Sequence, residues 1–237
     1  MTPYQLELRG VHAGYGRIEV LRELDICVPA GAVVALLGPN GAGKTTTLNA
    51  IAGTIPIDRG DLLLEGRSIR ALSAYERTRR GVVLVPEGRG VFQTLTVREN
   101  LELIVRGSRC DSATRDERMA EVLGIFPRLA ERLGQRAGTM SGGEQQMLAL
   151  SRAFLSSPKV LLMDEISMGL APKLVEDLFE AVQTLRTRGM TIVLVEQFLT
   201  YALRFADICY VLGKGRVTFV GEPSELRSGV GIGYASA

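Results

Sequence analysis

No stretch of this 237-residue chain stays apolar long enough to cross a bilayer. Its apolar runs, at 33–37, 82–85, 160–163, 192–195 and 208–212, are four or five residues each, where a membrane-spanning helix needs about 20. Net charge is also scarce. The 28 Lys and Arg against 26 Asp and Glu leave +2, which excludes the general basic field that would by itself point to nucleic acid. The densest basic stretch, Arg77 to Arg80, reads as a solvated helix end, because cations suit a helix C-terminus. Cysteine is sparse: Cys27, Cys110 and Cys209 are odd in number, far apart and at no metal spacing. Two of them sit in apolar strand-like runs as small hydrophobes, which suits a reducing compartment. The sole histidine, His12, reads as structural. No internal repeat, low-complexity linker or signal-peptide pattern is evident. If the chain serves a membrane, it is expected to do so from outside the bilayer.

Apolar residues at 46% and charged residues at 23% are ordinary globular values, and the length fits one domain carrying a subdomain. The short Val-, Ile- and Leu-rich runs read as strands buried on both faces, with helical patterns between them. Segments 5–11, 19–28 and 61–64 read as a smaller antiparallel sheet, and 44–52 as a helix following a Gly-rich loop. Ser73 with Glu76, and Thr96 with Glu99, are capping-box helix starts, and Gly81 is a helix stop. Strand runs vanish from 97 to about 155. The expected organisation is therefore a core of about 1–95 and 156–226, an inserted helical subdomain of about 96–155, and a C-terminal tail at 227–237. After Gly221 the chain, rich in Gly, Ser and Ala, is expected to fray.

Three motifs carry chemistry. Gly38, Pro39, Asn40, Gly41, Ala42, Gly43, Lys44 and Thr45 satisfy G-x-x-x-x-G-K-[ST] between an expected strand and an expected helix. Small residues let successive backbone N–H groups curl around phosphate oxygens, and the helix N-terminus adds positive potential. Lys44 then reaches the β- and γ-phosphates, the Thr45 hydroxyl ligates Mg²⁺, and Thr46 completes the nucleotide-binding set. The 160–163 strand leads into Asp164 and Glu165, adjacent carboxylates where α/β sheets place ligand chemistry. Asp164 suits Mg²⁺ through its water shell, and Glu165 suits orienting or deprotonating the attacking water. The third motif, Ser141, Gly142, Gly143, Glu144 and Gln145, opens a helix. A plain capping box accounts for Ser141 and Glu144, whereas two glycines cost entropy and suit a close backbone approach to a ligand.

The segment from Met140 to Gln145 resembles the signature motif of the ABC ATPases. Together with the phosphate loop and the Asp-Glu strand in this order, it extends the resemblance over about 6–226. The implied fold class is α/β: a P-loop NTPase (RecA-like) parallel-sheet core with an N-terminal antiparallel β subdomain and an inserted helical subdomain. The implied ligands are ATP and Mg²⁺. The resemblance implies a dimer in which Ser141, Gly142, Gly143, Glu144 and Gln145 of one subunit cover ATP held by the other's phosphate loop. Tyr15 matches the aromatic that stacks on adenine.

Three positions depart from the general pattern. Glu87 stands where most members have the glutamine that contacts Mg²⁺, Gln197 replaces the switch histidine, and Ala171 replaces the aspartate of the inter-subunit loop. The implied catalytic set is therefore Glu165, Lys44 and Gln197, and the metal set Thr45, Asp164 and Glu87. Segments 86–92, 137–148, 169–172 and 194–197 together are similar to one ATPase subunit of the branched-chain amino acid importers. That similarity implies two transmembrane permease subunits, a second and paralogous ATPase subunit, and a periplasmic or extracellular substrate-binding protein. It implies a peripheral place on the cytoplasmic face of the inner or plasma membrane, and no nucleic-acid partner. Related subunits also serve urea, amides and other small polar cargo, which leaves cargo open. A soluble, non-transport ABC ATPase would carry coiled-coil insertions or a second fused ATPase domain. A P-loop GTPase would carry an Asn-Lys-x-Asp segment, which this chain lacks.

Overall fold

The computed structural model describes residues 4–88, 90–107, 112–196 and 199–227; Cys110 and Gln197 lie outside them. Among the described residues the chain builds two sheets. One is antiparallel, in the order β2 (Ile18–Pro29), β1 (Tyr4–Tyr15), β4 (Ile57–Leu64) and β5 (Arg67–Ser68). The other runs β10 (Arg216–Gly221), β9 (Ile208–Gly213), β3 (Val33–Leu37), β8 (Thr191–Val195), β7 (Val160–Asp164) and β6 (Val82–Val85). Its strands are parallel except β10, an edge strand antiparallel to β9 that the sequence reading did not anticipate.

The continuous apolar runs make sense once both faces of this sheet are covered. In β7, Leu161 and Met163 enter one core cluster, while Val160 and Leu162 enter another. Ile192 and Leu194 of β8 divide from Val193 and Val195 in the same way. Successive residues point to opposite faces, so every position of such a strand must be apolar. One face receives α1 (Lys44–Ala52) and the antiparallel sheet. The other receives α6 (Gly142–Leu155), α7 (Pro172–Thr187) and part of α8 (Leu199–Phe205). Phe179 of α7 stacks on Tyr201 and Phe205 of α8, with centroids 5.0 Å apart in each pair.

The helical insertion consists of α3 (Val97–Gly107), α4 (Ser112–Ile125), α5 (Pro127–Ala130), a single 3-10 turn at Ala137–Thr139, and α6. It has no separate core. Leu101, Val122, Phe126 and Leu148 share a cluster with Met163 of the sheet and Leu178 of α7. The expected capping boxes form at Ser73 with Glu76, which opens α2 (Ala74–Arg79), and at Thr96 with Glu99.

Two expectations need correction. Arg77 is no solvated helix end. It is 2% exposed, and its guanidinium donates to the carbonyls of Ala50, Ile51, Leu72 and Arg70 at 2.5–3.0 Å. It thereby caps the last turn of α1 from a different helix, a tertiary role that local charge patterning cannot reveal. The segment after Gly221 does not begin as a frayed tail either. It forms α9 (Pro223–Arg227), whose buried Leu226 joins Ala202 and Leu203 of α8 in one cluster.

Candidate active site

The chemistry-bearing residues gather at the carboxyl ends of parallel strands, where an open α/β sheet offers its crevice. The phosphate loop leaves β3, Glu87 follows β6, and Asp164 ends β7 with Glu165 directly after it. A cleft of about 470 Å³ is lined by Asn40, Gly41, Gly43, Lys44, Thr45, Thr46, Glu87 and Glu165.

Local packing explains the loop. A Cβ on Gly38 would lie 2.3 Å from the Leu212 carbonyl oxygen of β9, so the loop can pass this strand only as glycine. Gly43 caps α1 in the left-handed region without a side-chain bond, which leaves the first-turn N–H groups directed at the cleft. Pro39, Asn40 and Gly41 are exposed, while Ala42 and Thr46 are buried and anchor the loop. The Lys44 ammonium is buried and donates to the carbonyls of Gly38 and Pro39 at 2.8 and 3.1 Å. Burial lowers its pKa, while the charges of Glu165 and Asp164 oppose that shift.

The Thr45 hydroxyl donates to Asp164 Oδ1 at 3.2 Å, joining the phosphate loop to β7. Asp164 is 3% exposed. Burial pushes its pKa up to about 6, the Thr45 hydrogen bond opposes this, and Glu165 and Glu87 push further upward. Glu165 adopts φ 45, a left-handed conformation that costs a non-glycine residue and persists only where its surroundings fix it. Its N–H donates to the Val195 carbonyl of β8 at 2.9 Å.

The donor set suits Mg²⁺. Hydroxyl and carboxylate oxygens are the hard ligands this ion takes. Among the described residues no group of three or more His, Cys, Asp or Glu could hold a metal by itself. An ion that keeps its waters and shares phosphate oxygens needs no such cage.

Tyr15 ends β1 and is 47% exposed, and its hydroxyl accepts from Asn49 of α1 at 3.2 Å. His12 bonds Glu19 at 2.8 Å on the neighbouring strand. The segment Ser141 to Gln145 lies apart, and none of it lines the cleft. Ser141 caps α6 reciprocally with Glu144, and Arg132 pairs with Glu144 at 3.0 Å. Burial pushes the Glu144 carboxyl upward, but the bonds from Ser141 and the charge of Arg132 prevail and lower its pKa. The Gln145 side chain turns inward and donates to the Ala137 carbonyl at 2.9 Å. A Cβ on Gly143 would lie 2.5 Å from Leu174 Cδ1 of α7. Gly143 therefore also admits a close approach of α6 to α7, a packing use beside the one expected of this glycine. Ala171 begins α7 without a side-chain cap and is followed by Pro172 at the first helical position.

Sequence reasoning did not assign a role to Ser167 or to the Glu196 side chain. Ser167 N–H and Oγ–H donate to the two carboxylate oxygens of Glu196 at 3.1 and 2.5 Å, with both residues buried. Adjacency to Glu165 and Gln197 was the only signal available, and pairing across the fold is invisible in one dimension.

A family profile described as ABC transporter matches residues 21–167. The chain is 46% identical over 203 residues, covering 86% of each sequence, to BraG of Pseudomonas aeruginosa, a high-affinity branched-chain amino acid transport ATP-binding protein. It is 37% identical over 217 residues, covering 91% of each, to LivF of Archaeoglobus fulgidus, described as a probable branched-chain amino acid transport ATP-binding protein. A solved ATP-binding subunit of an ABC transporter superposes with a TM-score of 0.84 at 30% identity, covering 98% of this chain and 95% of that one.

Proposed function

This chain belongs to the ABC transporter family of ATP-binding proteins, and from that premise we propose that it powers an importer of branched-chain or other hydrophobic amino acids. The observation that carries the motor reading is the convergence of Lys44, Thr45, Glu87 and Glu165 on one cleft, with Asp164 bonded to Thr45. The cargo reading draws support from the activity named for the relatives.

The residues divide the work as follows. The phosphate-loop N–H groups and Lys44 bind and orient the β- and γ-phosphates of ATP, with Lys44 exchanging its loop carbonyls for phosphate oxygens. Thr45 and Asp164, with Glu87 beside them, are the groups that would hold Mg²⁺. When bound, the ion would supply neutralisation of phosphate charge. Glu165 orients the attacking water and accepts its proton, while Tyr15 offers an exposed ring to adenine. The Ser141 end of α6, remote from its own chain's cleft, serves the ATP of a second ATPase subunit. No helix among the described residues is long and apolar enough to cross a membrane. On this reading the chain sits peripherally on permease subunits and acts with a substrate-binding protein.

Uptake of labelled leucine, isoleucine and valine by cells carrying Lys44→Ala in place of the parent tests the proposal. Loss of uptake of these three supports it. Unchanged uptake of them, with loss of urea or amide uptake instead, assigns the motor to another cargo.

A further inference from the structure

We propose that Ser167 and Glu196 are positioning residues for hydrolysis, locking together the loops that leave β7 and β8 so that Glu165 stays aimed at the cleft. The inference rests on the hydrolytic role of Glu165 and adds the device that holds it there.

β7 and β8 run parallel, with Asp164 paired to Val195 as the last register position. Beyond that pair both chains turn away into loops, and regular ladder bonds end. The next contact is Glu165 N–H to Val195 O at 2.9 Å. The one after it is the two-point attachment of Ser167 to Glu196, with N–H and Oγ–H each taking one carboxylate oxygen. Ser167 is 1% and Glu196 4% exposed. The turn around Ser167 is tight: Met168 N–H donates to the Glu165 carbonyl and Leu170 N–H to the Ser167 carbonyl, each at 3.2 Å.

This arrangement answers a specific need. Glu165 sits at φ 45, a conformation that a glutamate keeps only when the structure on both sides over-determines it. Val195 fixes the N-terminal side through the N–H of Glu165. Glu196 fixes the C-terminal side, two residues on, through both donors of Ser167. An acidic side chain is an expensive group to bury, and an apolar residue would fill the same space at less cost. Its value lies in its two acceptors on one planar group, which fix the direction of the turn as well as its distance.

The test uses the full chain with Mg²⁺ and ATP, measuring kcat, KM, nucleotide affinity and melting temperature. Ser167→Ala, which removes a single hydroxyl, is expected to lower kcat about tenfold, as misplacement of a reacting group does. KM and nucleotide affinity should stay within about twofold, because the phosphate loop is untouched. Ser167→Thr keeps the hydroxyl and should restore kcat. The double variant Ser167→Ala/Glu196→Gln should lose little beyond the worse single variant, as members of one bonded unit are non-additive. Parent-like kcat in Ser167→Ala would overturn the proposal. So would a parallel fall of kcat, nucleotide affinity and melting temperature, which marks a purely structural pair. Glu165→Gln separates the two readings. If it is inactive while Ser167→Ala is normal, only the positioning proposal fails. If Glu165→Gln turns over at the parent rate, the role of Glu165 fails, and the positioning proposal falls with it.

Discussion

At Asp164, burial of the strand end works against the charged carboxylate that the proposed function assigns to Mg²⁺. Its pKa in the fold is pushed from 3.8 up to about 6, chiefly by burial. An acid whose folded pKa lies above its unfolded value holds its extra proton between the two, so the folded state binds more protons there. Stability therefore falls as pH rises from about 4 to about 6 and then levels. At about 1.4 kcal/mol per pH unit, the Asp164 contribution is on the order of 3 kcal/mol. Thermal melts without divalent cations should show the parent losing stability relative to Asp164→Asn across that window; parallel curves would refute the assignment. Gln197 poses a different residue-scale question. Its amide can donate a hydrogen bond but has no proton to lose near neutrality, unlike a histidine. Gln197→Ala should lower turnover roughly tenfold or more, equivalent to about 1.4 kcal/mol of transition-state stabilisation. Gln197→His should retain activity and add a pH dependence between about pH 6 and 8. Turnover of Gln197→Ala at the parent rate across that range would deny the amide a catalytic part.

Among the elements, α1 joins fold to function most directly, because its first turn faces the cleft and its last turn is buried. The N-terminal end was legible in the sequence: the phosphate-loop pattern needs a strand before it and a helix after it, and Val33–Leu37 and Lys44–Ala52 supply them. The other end was not. Gly53 ends the helix in the left-handed region, but the carbonyls of Ala50 and Ile51 are satisfied by Arg77, which reaches them from α2. A run of arginines looks like a solvated helix end until the tertiary fold buries one of them. Arg77→Ala would leave several buried carbonyls without a donor, at a cost of about 3 kcal/mol or more. In a chain of this size that corresponds to a fall of about 6–12 °C in Tm, with Arg79→Ala as the exposed control. A loss in Arg77→Ala no larger than in that control would show that the cap adds nothing. β10 escaped for another reason: its burial alternates weakly along an exposed edge, so it lacks the continuous apolar run that marked the five parallel strands.

For the whole molecule, the Ser141 segment does not line the Lys44 cleft, which supports the proposal that a second subunit completes the ATP site. That division was expected from the order of the motifs, through resemblance rather than spacing. What the sequence could not convey was which residues hold the pieces in place, as with Gly143 against Leu174 or Ser167 against Glu196. Those contacts join segments whose pairing exists only in three dimensions. Light scattering should find Glu165→Gln chains monomeric without nucleotide, with association only when ATP is bound; a stable nucleotide-free dimer would count against a site completed across subunits. The most direct measurement is nucleotide binding and steady-state turnover on the parent, Lys44→Ala and Glu165→Gln side by side. Lys44→Ala should lose nucleotide affinity and turnover together, because the ammonium no longer meets the phosphates. Glu165→Gln should bind ATP as the parent does and fail to hydrolyse it, whereas turnover at the parent rate would contradict the assignment of Glu165 to the attacking water.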